Sequence, residues 1–132
     1  YMKEQFKIIK NYLIELNYNI THENEEEGVL MIQNHEKGIN NLILGIASPI
    51  LIMEQYIFKI STPNETIFQQ LLQKNRDIVH GAFVLDESGE KVIFRDTLQI
   101  ENIDLNELEG SINSLSLLLS EYSENIIQFS KS

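Results

Sequence analysis

The chain has 132 residues, 42% of them hydrophobic, no cysteine and a formal net charge of −10. This length and apolar share allow a proper core and exclude wholesale disorder; the missing cysteines exclude disulfides and thiolate sites and fit a cytoplasmic protein. Ten scattered Lys and Arg against twenty Asp and Glu argue against nucleic acid and against an anionic membrane surface, and favour solubility and a basic or apolar protein partner.

Lys3, Glu4, Gln5 and Lys7 interrupt any apolar run at the start, so no signal peptide is expected, and Met2 is read as the natural start behind Tyr1. The longest apolar stretch, residues 48–53, is too short to span a bilayer. Phe6, Ile9, Leu13 and Leu16 recur at three- and four-residue spacing, with Lys3, Lys7, Lys10 and Asn11 opposite, which predicts an amphipathic helix over 2–16 capped by Asn17. Residues 18–22 read as a short edge strand and 25–28 as a turn whose three glutamates are solvated surface. Strands over 29–33 and 42–47 flank a polar loop over 34–40 containing Gly38, and Ser48-Pro49 end the second strand because proline cannot donate to a ladder.

Residues 50–60 form a strand long enough to twist strongly or carry a bulge. Strict alternation places Leu51, Met53 and Ile57 on one side and Ile50, Ile52, Tyr56 and Phe58 on the other. Both sides are partly apolar, so one is expected to meet helices and the other a second copy or a partner. Thr62 as N-cap, Pro63 at the first helical position and Glu65 in the first turn then predict a helix start. Ile67, Phe68, Leu71, Leu72, Ile78 and Val79 share its apolar face with Asn75, and Gly81 is a natural stop. A buried Asn75 must satisfy its amide, most simply on a neighbouring loop or strand. Residues 82–85 read as a strand buried on both faces, 86–90 as a hairpin turn with Gly89 at positive φ, and 92–98 as the return strand, on which Arg95 and Asp96 diverge to different neighbours.

The last helix opens with Asp104 and Glu107 at capping-box spacing and Ile103 and Leu108 at staple spacing. Leu105, Leu108, Ile112, Leu115, Leu119, Tyr122, Ile126 and Phe129 make its stripe, which Leu118 widens; Leu117 lies off it, which reads either as a second contact surface or as an ordinary exposed leucine. The order α-β-β-β-β-α-β-β-α predicts one α+β domain over 2–130, with five to six strands in a curved antiparallel sheet packed with helices. His22, His35 and His80 lack helical metal-ligand spacing, and no phosphate loop or nucleophile elbow is present. The chain is therefore expected to be no enzyme and to hold neither metal nor cofactor.

The segments LLQKN (71–75), GAFVLDESGEKVIF (81–94) and DLNEL (104–108) resemble two related bacterial groups. One is the YbjN-like family of sensory transduction regulators; the other is the type III secretion chaperone superfamily of the CesT/Tir-chaperone kind. The likeness covers the second half of the chain well and the first half in element order. It implies helices against a curved antiparallel sheet, no catalysis, and, from the chaperones, a homodimer that holds a partially unfolded protein segment. Leu71, Leu72, Asn75, Phe83, Leu85, Gly89 and Leu108 carry over as structural positions only. A count of six strands, against about five expected in a secretion chaperone, suits the YbjN-like branch. The expected function is a protein-binding adaptor or regulator with Leu51, Met53, Tyr56, Ile57, Phe58 and Leu117 as partner or dimer surface. The alternative is a small-molecule sensor with a pocket between the sheet and the last helix.

Overall fold

The computed structural model describes residues 2–62 and 64–131; the expectations for Tyr1 and Pro63, and for the side chain of Phe129, lie outside the described residues. Helix α1 (Met2–Glu15) buries Phe6, Ile9 and Leu13. Asn17 ends it at φ 64°. Its N–H donates to the Ile14 carbonyl, and the Tyr18 N–H to that of Leu13, both at 3.0 Å, which is the paired-bond C-terminal turn of the Schellman type. There follow β1 (Asn19–Asn24), β2 (Val29–Asn34), β3 (Ile39–Ala47), β4 (Ile50–Lys59), α2 (Glu65–Asn75), β5 (Ala82–Leu85), β6 (Lys91–Gln99), α3 (Leu105–Glu121) and α4 (Ser123–Lys131). The strands form one open sheet in the order β1-β2-β3-β4-β6-β5, antiparallel throughout, so the expected α+β class and strand sequence are found.

Register decides what each face carries. Leu30 opposes Leu44, which opposes Met53; Ile32 opposes Leu42; Gln55 opposes Phe94, which opposes Phe83. All of these are buried, together with Phe6, Ile9, Leu13, Ile67, Leu71, Leu108, Ile112 and Leu115 from the helices. Each fully buried Leu, Ile or Phe contributes roughly 1.5–3 kcal/mol, so this inner layer holds the fold together. Polar groups are built into it as well. Gln55 accepts from the Asn40 N–H at 3.0 Å and donates to the Gly38 carbonyl at 3.2 Å. Ser111 of α3 donates to Asp96, which the register sets beside Met53 on the inner face.

The structure corrects several local expectations. The 34–40 loop is a 3-10 turn, His35–Lys37, capped by the Asn34 side chain and closed by Gly38 at φ 72°. Strand β3 therefore starts at Ile39, which is fully buried. The N-cap of α2 is Asn64, whose side chain accepts from the Ile67 N–H at 2.9 Å, in place of Thr62. Helix α2 stops at Asn75, short of Ile78 and Val79, because the next N–H groups bond three residues back: Arg76 to Gln73, Asp77 to Lys74 and Ile78 to Asn75. Val79, expected on the apolar stripe, is 86% exposed. Gly81 lies beyond the helix, at φ 87° with the Phe94 ring against it. Strand β5 is an edge strand, so of its residues only Phe83 is buried, and it is not covered on both faces. The last helix is two helices, broken at Tyr122, whose φ −109° and ψ 14° leave the helical range.

Candidate protein-binding surface

The helices cover one face of the sheet. On the other, alternation brings Val29, Met31, Ile43, Ile52, Tyr56 and Ile93 to the surface of four adjacent strands. Ile43 is 42% and Tyr56 54% exposed, and the rest are half-buried among themselves. Gly45, between Val29 and Ile52 in register, leaves a shallow hollow beside Ile43 and Ile52. Arg95 pairs with Glu54 in the middle of this face. A face of this kind is suited to van der Waals contact with an apolar segment, with one charged pair to set its register.

A second apolar surface lies at the β5 edge. Phe68, Leu71, Leu72, Phe83, Leu85 and Val92 line a groove of about 280 Å³ between α2 and the sheet. Asn75 closes one end of it: its amide donates to the Phe83 carbonyl at 3.1 Å and its carbonyl oxygen accepts from the Phe83 N–H at 2.7 Å.

The residues expected to form a partner surface divide. Leu51, Met53 and Phe58 are 0%, 2% and 4% exposed and belong to the core. Strict alternation fails at a β-bulge: Tyr56 opposes Ile93 and Phe58 opposes Val92, so Ile57 is an extra residue that turns Phe58 inward. Tyr56 remains on the bare face, Ile57 is half-buried at the bulge, and Leu117 stands 60% exposed on α3, away from that face. Of the structural positions, Leu71, Phe83 and Leu108 are buried, and Gly89 takes φ 74° in the hairpin. Leu72 (71%) and Leu85 (43%) are exposed at the rim of the groove. Val29, Met31, Ile43 and Ile93 were missed as a surface; the signal was the unbroken apolar run Val29–Ile32, whose odd members must face away from a core that takes Leu30 and Ile32.

The layer between sheet and last helix, where the alternative sensor reading puts a pocket, holds Leu108, Ile112 and Leu115 in the core cluster. Electrostatic perturbation is slight. Burial pushes the Tyr18 phenol above its ordinary value against the opposing pull of the Lys37 ammonium, which lies 5.2 Å from the ring centroid, while the hydroxyl makes no hydrogen bond of ordinary geometry among the described residues. The Ser88 hydroxyl holds the Asp86 carboxyl below the ordinary aspartate value in the hairpin turn. Among the described residues no three His, Asp or Glu side chains gather as metal ligands, and no helix is long and apolar enough to cross a membrane.

Solved structures share this architecture. YbjN from E. coli is 11% identical, with 90% of this chain and 91% of that one covered at a TM-score of 0.69. A chain of the HopA1–SchA chaperone–effector complex is 10% identical, covering 98% and 96% at 0.65. A chain of the heterodimeric ExoU–SpcU complex from the type III secretion system of Pseudomonas aeruginosa is 15% identical, covering 94% and 99% at 0.70. A comparison with curated protein sequences finds no match. At such identities the likeness is one of fold, that of the type III secretion chaperones and of YbjN. The sequence itself matches the CesT_Tir_1 family model over residues 2–132, and the chain belongs to that family.

Proposed function

We propose that the chain is a non-catalytic, chaperone-like binding module that holds an extended segment of another protein against its bare sheet face. The observation that carries the reading is the face itself: Val29, Met31, Ile43, Ile52, Tyr56 and Ile93 lie together on one side of the sheet, with the helices and the core on the other. A chain held in an extended form presents alternate side chains, which suits contact with a strand surface. The fold supports the reading, since one of the similar structures is a chaperone–effector complex. The negative charge favours a partner segment with basic residues. We place self-association on the other apolar surface, the α2–β5 groove, through Leu72 and Leu85.

The test compares wild type with an Ile43→Glu/Tyr56→Glu double variant. Partners captured from native lysate are made recombinantly and titrated against both by calorimetry. The expected result is a partner segment that binds wild type and loses at least about tenfold in affinity on the variant, a cost of about 1.4 kcal/mol, with unchanged circular dichroism. Equal binding by both would remove the sheet face from the reading. Repeated capture of nothing specific to the wild-type chain would overturn the reading itself.

A further inference from the structure

We infer that Asn75 is an edge guard: its carboxamide occupies the hydrogen-bonding slot that an added strand would need on β5, so this edge of the sheet accepts side chains but not another strand. The alternation of the hairpin fixes which groups face outward. The Asp86 backbone N–H donates to the Lys91 carbonyl at 3.1 Å, which makes that a bonded pair. The next pairs inward are Leu85 with Val92, Val84 with Ile93 and Phe83 with Phe94. Bonded and non-bonded pairs alternate in an antiparallel ladder. Leu85 and Phe83 therefore turn their backbone N–H and carbonyl away from β6, toward the open side.

Both outward groups of Phe83 are taken by Asn75, donor to acceptor and acceptor to donor. One side chain at the last position of α2 thus reproduces the two bonds that a residue of a neighbouring strand would make. With β5 only four residues long, Leu85 alone is left with outward groups for a newcomer. An unpaired edge is the usual template for uncontrolled strand addition, and here the helix that brackets the edge closes it. The opposite edge, β1, carries no equivalent side chain among the described residues. The inference is independent of the proposed partner: it concerns how the α2–β5 surface can be used, whatever docks there.

Amide exchange read by NMR, with light-scattering mass over a range of concentrations, tests it. In the wild-type chain the Phe83 amide exchanges at least about tenfold more slowly than the outward, unguarded Leu85 amide. In Asn75→Ala the Phe83 amide falls to the Leu85 level in dilute solution. With rising concentration it regains protection as species larger than those of wild type form. Adding Leu85→Pro, which deletes the remaining outward N–H, returns the mass to that of Leu85→Pro alone. A wild-type Phe83 amide as fast as Leu85, or a folded Asn75→Ala with wild-type mass at every concentration, overturns the inference. The wild-type exchange rates decide it even where Asn75→Ala does not fold.

Discussion

Replacing Gly81 by alanine tests how β5 is seated. Gly81 has φ 87°, and a Cβ placed there would lie 2.3 Å from Cζ of Phe94 and 2.8 Å from its Cε1. Phe94 is 1% exposed in the middle of the inner layer and has little room to retreat. Two costs add. A left-handed backbone costs a non-glycine residue about 1–2 kcal/mol, and overpacking a close-packed core costs about 1–3 kcal/mol. The lower entropy of the unfolded alanine chain returns about 0.4–1 kcal/mol. The net expectation is a loss of about 3 kcal/mol. For a chain of 132 residues, with roughly 2.1 cal/mol/K per residue of unfolding entropy, that lowers Tm by about 10 °C. Urea denaturation of wild type, Gly81→Ala, Phe94→Leu and the double variant measures it. Shortening the ring relieves the clash, so the double variant should be more stable than the sum of the single losses implies, by about 1 kcal/mol or more. A Gly81→Ala protein within about 0.5 kcal/mol of wild type, the range of an ordinary surface change, would refute the packing argument.

Two further changes probe the polar groups inside the fold. Gln55→Leu removes both bonds that tie the Gly38–Asn40 backbone to β4; at about 0.5–1.5 kcal/mol per bond, with water able to reach the freed groups, stability should fall by about 1–2 kcal/mol, and the Asn40 amide should exchange faster. Tyr18→Phe removes a buried hydroxyl that makes no hydrogen bond of ordinary geometry and keeps the ring beside Lys37, and should stabilise by about 1 kcal/mol at neutral pH. Because burial raises the Tyr18 phenol above 10.0 in the folded chain, the folded state holds this proton more tightly than the unfolded one. The stability linked to it is complete below pH 10.0 and is lost as pH rises through the folded value. Denaturation midpoints followed into alkali should therefore fall for wild type and stay flatter for Tyr18→Phe.

The parts of the fold written in periodicity and caps were legible in the sequence. Phe6, Ile9 and Leu13 gave α1, Asp104 and Glu107 gave the start of α3, and Gly89 gave the hairpin. What stayed hidden depends on contacts distant in sequence. The Ile57 bulge exists only relative to β6, and it alone moved Phe58 from the expected surface into the core. The apolar spacing through Val79 extends a helical pattern past Asn75, the last helical residue, whose side chain bonds Phe83 while the next N–H groups turn to carbonyls three residues back. Leu117 was readable as exposed from its place off the stripe, whereas Leu72 was not, because α2 lies at a sheet edge that buries Ile67 and Leu71 and half-buries Phe68 but leaves Leu72 outside.

The Glu54–Arg95 pair shapes what the bare face can accept. At 36% and 40% side-chain exposure it is a surface pair, worth about 0–1 kcal/mol to the fold, so stability is a weak reason for its central position. On the binding proposed for this face its effect would be larger. A wholly apolar segment laid over the row Met31, Ile43, Glu54, Arg95 would strip water from both charges, offset only in part by their stronger mutual attraction, and would offer no hydrogen bond in return. A segment that sets a polar group over the pair and apolar side chains over Ile43 and Ile52 avoids that loss. The same arrangement penalises indiscriminate hydrophobic contact, including face-to-face stacking of two copies in any register that buries the pair unmatched. Used as proposed, an apolar face interrupted in this way would select among extended segments by the spacing of their polar residues, which is specificity achieved by a cost placed on wrong partners.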